Sequence, residues 1–129
     1  MPMQKVVTTV IGREKLAKSH VGEEALPPIT EIGFGTEGAD PITGDPTMPT
    51  GNETAVGGEV VRKNIEGYTF PIPTTARITG ILDFEEGNGN SISAIGLYDS
   101  EGDLIALKHT TSKPKSADTR LEITWEEQF

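Results

Sequence analysis

The chain contains no cysteine, which removes disulfides, iron–sulfur clusters and thiolate zinc sites together. Aromatic residues are few: one tryptophan, two tyrosines and four phenylalanines in 129 residues, too few to assert a sugar-stacking platform. Long apolar runs are missing as well. The longest, such as Val6-Val7, Gly80-Ile81-Leu82 and residues 104–107, fall far short of the roughly 20 residues that cross a bilayer, so no membrane span is expected. Positive charge is scarce, with 11 Lys and Arg against 20 Asp and Glu, a net charge of −9. That balance repels a phosphate backbone and argues against nucleic acid or an anionic membrane as partner. The opening Met1-Pro2-Met3-Gln4-Lys5 has one lysine and no apolar run behind it, unlike a secretory signal. The expectation is a protein that acts where it is made, or leaves by lysis or assembly.

Backbone punctuation is abundant instead. Fifteen glycines and nine prolines make a turn-rich globular composition, and 129 residues fit one domain spanning 1–129. Thr8 and Thr9 suit a helix N-cap, and Val10, Ile11 and Ala17 recur at roughly helical spacing, which predicts a short N-terminal helix within 6–20. Pro27-Pro28 ends any helix, and Ile29 to Phe34 reads as a strand stopped by Gly35. Residues 36–54 are nearly all loop formers, an unusually long loop that is either functional, held by a partner, or a mobile insertion.

From 58 to 129 the pattern is antiparallel strands. Ile78, Gly80, Leu82 and Phe84 alternate with Arg77, Thr79, Ile81 and Asp83, and Leu121, Ile123, Trp125 and Phe129 alternate with polar residues. Between them, Asp99-Ser100-Glu101-Gly102-Asp103 joins two apolar runs as a hairpin with a left-handed glycine, and residues 111–118 read as a polar loop. The fold expected is mainly β: a small antiparallel sheet or sandwich of five to six strands, one short N-terminal helix and a long Pro/Gly-rich loop.

Motifs for chemistry fail on context. Gly33, Gly35 and Gly38 spell Gly-x-Gly-x-x-Gly after a strand, but no helix follows to hold a pyrophosphate, and Glu37 and Asp40 oppose it. The 99–103 turn resembles part of a calcium loop, yet Thr110 stands where the bidentate glutamate belongs. Asp83, Glu85, Glu86, Asn88 and Asn90 read as a solvated turn, and His20 and His109 as lone surface imidazoles. No nucleophile elbow or thiol nucleophile is present. The expectation is no enzyme, no cofactor and no metal.

The hairpin Ile95-Gly96-Leu97-Tyr98-Asp99-Ser100-Glu101-Gly102-Asp103-Leu104-Ile105-Ala106 resembles the G-L-Y/F-D-x-x-G-x-L-I-A hairpin of the phage tail-collar fibre family, the N-terminal region of tail-fibre proteins of contractile-tailed phages and prophages. Four further pieces follow the family's order. They are Thr8-Thr9 with Gly12 and Lys15-Leu16-Ala17, then Ile32-Gly33-Phe34-Gly35, then Glu59-Val60-Val61-Arg62, and Lys113-Pro114. Ala94 and Ser112 stand where the family usually has an acidic and an aromatic residue.

The resemblance implies a non-catalytic structural component of a phage tail, docking at the baseplate or tail tip and seating a fibre. Its partners would be other tail, baseplate or fibre proteins and copies of itself, as a homotrimer or ring. It would be made in the host cytoplasm and located in the virion tail. Candidate interface residues are Val10, Ile11, Leu16 and Ala17 on the helix, Trp125 and Phe129 on the last strand, and Arg62, suited to an ion pair within the chain or across an interface. The alternative is a small surface-glycan or receptor-binding module using the turn 85–90.

Overall fold

The computed structural model describes residues 4–128. Eight strands and one helix follow in the order β1 (Gln4–Thr8), α1 (Val10–His20), β2 (Ile29–Gly35), β3 (Glu59–Asn64), β4 (Gly67–Ile72), β5 (Thr75–Leu82), β6 (Asn90–Asp99), β7 (Leu104–Lys115) and β8 (Leu121–Gln128). They form a five-stranded sheet, β1-β7-β6-β2-β3, and a three-stranded sheet, β4-β5-β8, with every pairing antiparallel. The mainly β architecture expected from the sequence is present, with eight strands among the described residues instead of five or six.

The additional pairing comes from both ends of the expected elements. Val6, Val7 and Thr8, placed in the helix by the sequence reading, form a strand against Lys108, Leu107 and Ala106. β-Branched residues favour such a pleated edge over a helix start. The helix begins only after Thr9, whose hydroxyl accepts from Gly12 N at 3.0 Å as N-cap. At the other end, β7 runs through part of the expected 111–118 loop to Lys115, with its register against β6 broken between Ile92 and Ala94. Described β1 pairing stops at Gln4 opposite Thr110, so Pro114 stands where β7 pairs with β6 alone, a position that tolerates a missing N–H.

β6 is buried along both faces from Ile92 to Asp99. Ile95 and Leu97 point to one side, packing with Ile32, Phe34, Ile78, Leu82 and Trp125 between the sheets. Ala94 and Tyr98 point to the other, with Val56, Leu104 and Leu107. Gly80 lets the Ile32 side chain pack directly onto β5, since a Cβ there would lie 2.6 Å from Ile32 Cδ1. Phe84, assigned by alternation to the buried side, lies past the end of β5 and is exposed.

The long loop, residues 36–58, covers the second face. It is held by its own chain: Gly38 N donates to Ser93 Oγ at 2.8 Å, Val56 N to the Tyr98 hydroxyl at 2.9 Å, and Val10 N to Gly51 O at 2.8 Å. His109, expected at the surface, is buried because it is part of this fastening. Its Nδ1 lies 2.9 Å from the Thr47 carbonyl, and because a carbonyl only accepts, that nitrogen carries the proton.

Candidate assembly surface

Three constructions on this frame explain most of the motif residues. In the first, α1 is clasped to the tip of the β6–β7 hairpin. Thr9 Oγ1 donates to Leu104 O at 2.6 Å, and Gly12 lets the helix approach the Ile105 carbonyl, where a Cβ would lie only 2.6 Å away. One turn on, the Lys15 ammonium reaches Asp99 at 2.5 Å and Glu101 and Asp103 at 2.8 Å. Burial disfavours that charge, but the hydrogen bonds to Asp103, Asp99 and Glu101 outweigh it and raise the Lys15 pKa.

Asp99, Glu101 and Asp103 also stand close enough together, among the described residues, to hold a metal. Lys15 supplies the positive charge among them from within the chain. Asp99, almost wholly buried, spends its other oxygen on the turn, accepting from Glu101 N at 3.0 Å and Asp103 N at 3.1 Å. The calcium-loop likeness is therefore a hairpin turn locked by a lysine.

In the second construction, the three glycines of Gly33-x-Gly35-x-x-Gly38 let other parts of the chain lie directly on the sheet. An added Cβ would meet Glu59 Oε1 at 2.5 Å from Gly33, Gly57 O at 2.3 Å from Gly35 and Ser93 O at 2.1 Å from Gly38. Between Phe34 and Gly35 the β2–β3 register shifts, Phe34 opposing Val61 and Gly35 opposing Glu59. That irregularity accounts for Glu59 and Arg62, three residues apart in a strand, reaching each other. Arg62 Nη2 lies 3.0 Å from Glu59 Oε2, and its guanidinium stacks 3.6 Å from the Tyr98 ring centroid. Tyr98 donates to Glu59 at 2.8 Å, and burial leads the effects that push its hydroxyl pKa up to about 12. The ion pair sought for Arg62 thus forms within the chain.

The third construction is a cleft of about 600 Å³ lined by Val6, Arg77, Lys108, Thr124, Trp125 and Glu126. It opens between β1, at the edge of the larger sheet, and β8, at the edge of the smaller. Trp125 is 1% exposed and donates from Nε1 to Glu127 at 2.7 Å. As an interface candidate its ring is taken up by the chain's own core. Val10 and Ile11 are half-buried at the start of α1, while Leu16 and Ala17 are exposed. Phe129 lies outside the described residues.

The surface also carries apolar groups that the sequence reading did not single out for a partner. Tyr68 opposes Ile78, so its side chain is on the core-facing side of β4, yet Tyr68 and Phe70 are 67% and 61% exposed. Their rings meet edge to face, centroids 5.9 Å apart. The acidic turn 85–90, in contrast, is tied inward: Lys63 pairs with Glu86 at 2.7 Å and Lys115 donates to Asn88 at 2.8 Å. Gly12 and Lys15 were noted only as parts of a family motif, without their contacts, and Lys108 was not singled out. Strand periodicity gives no sign of which distant groups a lysine meets.

A family described as phage tail-collar fibre protein, N-terminal, matches residues 3–124. No curated protein and no solved structure matches the chain.

Proposed function

We propose, from the premise that this chain belongs to the phage tail-collar fibre protein N-terminal family, which gives it a structural role in docking a tail fibre, that it seats the fibre on the baseplate or tail tip as a homotrimer or ring. The observation that carries the reading is the family match over residues 3–124, nearly the whole chain. The structure supports it in kind. Its motif residues go into fastening the chain to itself: Lys15 clasps the helix to the hairpin, the glycines let the loop lie on the sheet, and Arg62 stacks on Tyr98. The virion tail is its location, reached by assembly after synthesis in the host cytoplasm.

Two exposed apolar regions are the contact surfaces in this reading. One is the β4 hairpin with Tyr68 and Phe70. The other is the α1 side, where Leu16, Leu26, Pro27 and Ile29 line a small apolar recess of about 100 Å³, with Ala17 exposed beside Leu16 on the helix. Immunogold labelling of particles released from cells that make this chain tests the role. Gold at the tail end of intact particles is expected, and particles that carry none would overturn it.

A further inference from the structure

Lys108 is the unusual cation of this protein. It opposes Val6 on β1 and Ile95 on β6, so its side chain enters the space between the sheets, where its Nζ lies 4.5 Å from the Trp125 ring centroid. The residue is 7% exposed, and among the described residues no hydrogen-bond acceptor or carboxylate is paired with that nitrogen. Lys115, also buried, differs: it donates to Asn88 Oδ1 and Ser116 O. Neighbouring charges of the cleft are already engaged, Arg77 with Glu126 at 2.7 Å and Glu127 with the Trp125 indole. Burial lowers the Lys108 pKa, with Glu127 opposing at longer range. No side-chain nitrogen or oxygen among the described residues is sealed from water without a partner, so this ammonium is only partly desolvated: it faces the open cleft, where an acceptor can reach it.

We propose that the cleft between β1 and β8 is a carboxylate-binding site in which Lys108 receives one acidic side chain of a partner protein. One unspent positive charge matches a monoanion. A phosphate would bring a second negative charge towards Glu126 and Glu127. The volume accommodates a glutamate side chain and the backbone that carries it, and both walls are edge strands, with free backbone groups along which an extended segment can lie. The choice of a protein as the source of the carboxylate rests on the docking role proposed above, whereas the site itself does not.

Trp125 is the only tryptophan and lies under the Lys108 ammonium, so its emission reports occupancy. The intact protein is titrated with the blocked peptide Ac-Thr-Glu-Thr-NH2, with its glutamine counterpart, with acetate, and with sulfate at matched ionic strength; amide NMR shifts of β1, β7 and β8 are followed in parallel. Saturable changes with the glutamate peptide and acetate, and none with the glutamine peptide, are expected. Lys108→Met should weaken the response at least tenfold while melting no lower than the parent, because it removes a poorly solvated charge. No response by either readout in the parent overturns the proposal, as does an equal response in Lys108→Met or a response to sulfate as strong as to acetate. A chain that binds the glutamate peptide but is absent from tails would leave the site standing and remove the docking role.

Discussion

Lys15 shows how one side chain decides the identity of a motif. Asp99-Ser100-Glu101-Gly102-Asp103 carries the oxygens of a cation loop, and only a residue 84 positions away fills it. Replacing Lys15 with methionine keeps the aliphatic stem and the helix but leaves the nearly buried Asp99 carboxylate without its counter-charge. Breaking a buried pair from one side costs about 3–5 kcal/mol, and the openness of Glu101 and Asp103 argues for the lower end, about 3 kcal/mol. Urea unfolding should show that loss, with Lys15→Arg recovering most of it. A Lys15→Met protein as stable as the parent would mean that the clasp contributes nothing to the fold.

At the scale of elements, what was legible in the sequence was what alternation can encode. β5 and β8 were read from residues two apart, and the start of β7 from the 99–103 turn that leads into it, whose Gly102 adopts φ 84°. The opening strand escaped because Val6-Val7-Thr8 is too short to declare a period, and its pairing with β7 lies about a hundred residues away. The loop's nature was hidden for a related reason: its fastening residues, Ser93, Tyr98 and His109, all belong to distant strands. Gly38 tests that the loop is part of the fold. Alanine there would set a Cβ 2.1 Å from Ser93 O, and overpacking of this kind costs about 1–3 kcal/mol. Gly38→Ala should lower stability by that amount and speed hydrogen exchange at Gly38 and Thr47, whose amides are bonded within the loop's fastening. Gly67→Ala, with nothing within 4 Å of the added carbon, should change neither, and equal behaviour of the two variants would refute the role given to the loop.

The whole molecule exposes 7330 Å², more than the roughly 6,600 Å² expected of a compact monomer of its mass. Part of the exposed surface is Tyr68 and Phe70, on the core-facing side of a hairpin but not covered by it. Pro71 and Pro73 flank Ile72 in the same segment, and proline discourages open-ended strand addition at an edge. The face is therefore suited to closed contact between side chains more than to strand-on-strand growth. Residues 67–76 carry no charge in a chain of net −9, so copies can meet there without setting like charges against each other. Sedimentation across a range of concentrations should give a closed homo-oligomer for the parent. Tyr68→Ser with Phe70→Ser should raise the dissociation constant at least about 30-fold, in line with the roughly 2 kcal/mol lost at an interface hot spot, while thermal unfolding of the monomer stays near that of the parent because neither ring is buried in it. A parent that stays monomeric throughout, or a double variant of unchanged mass, would exclude this face as the contact between copies.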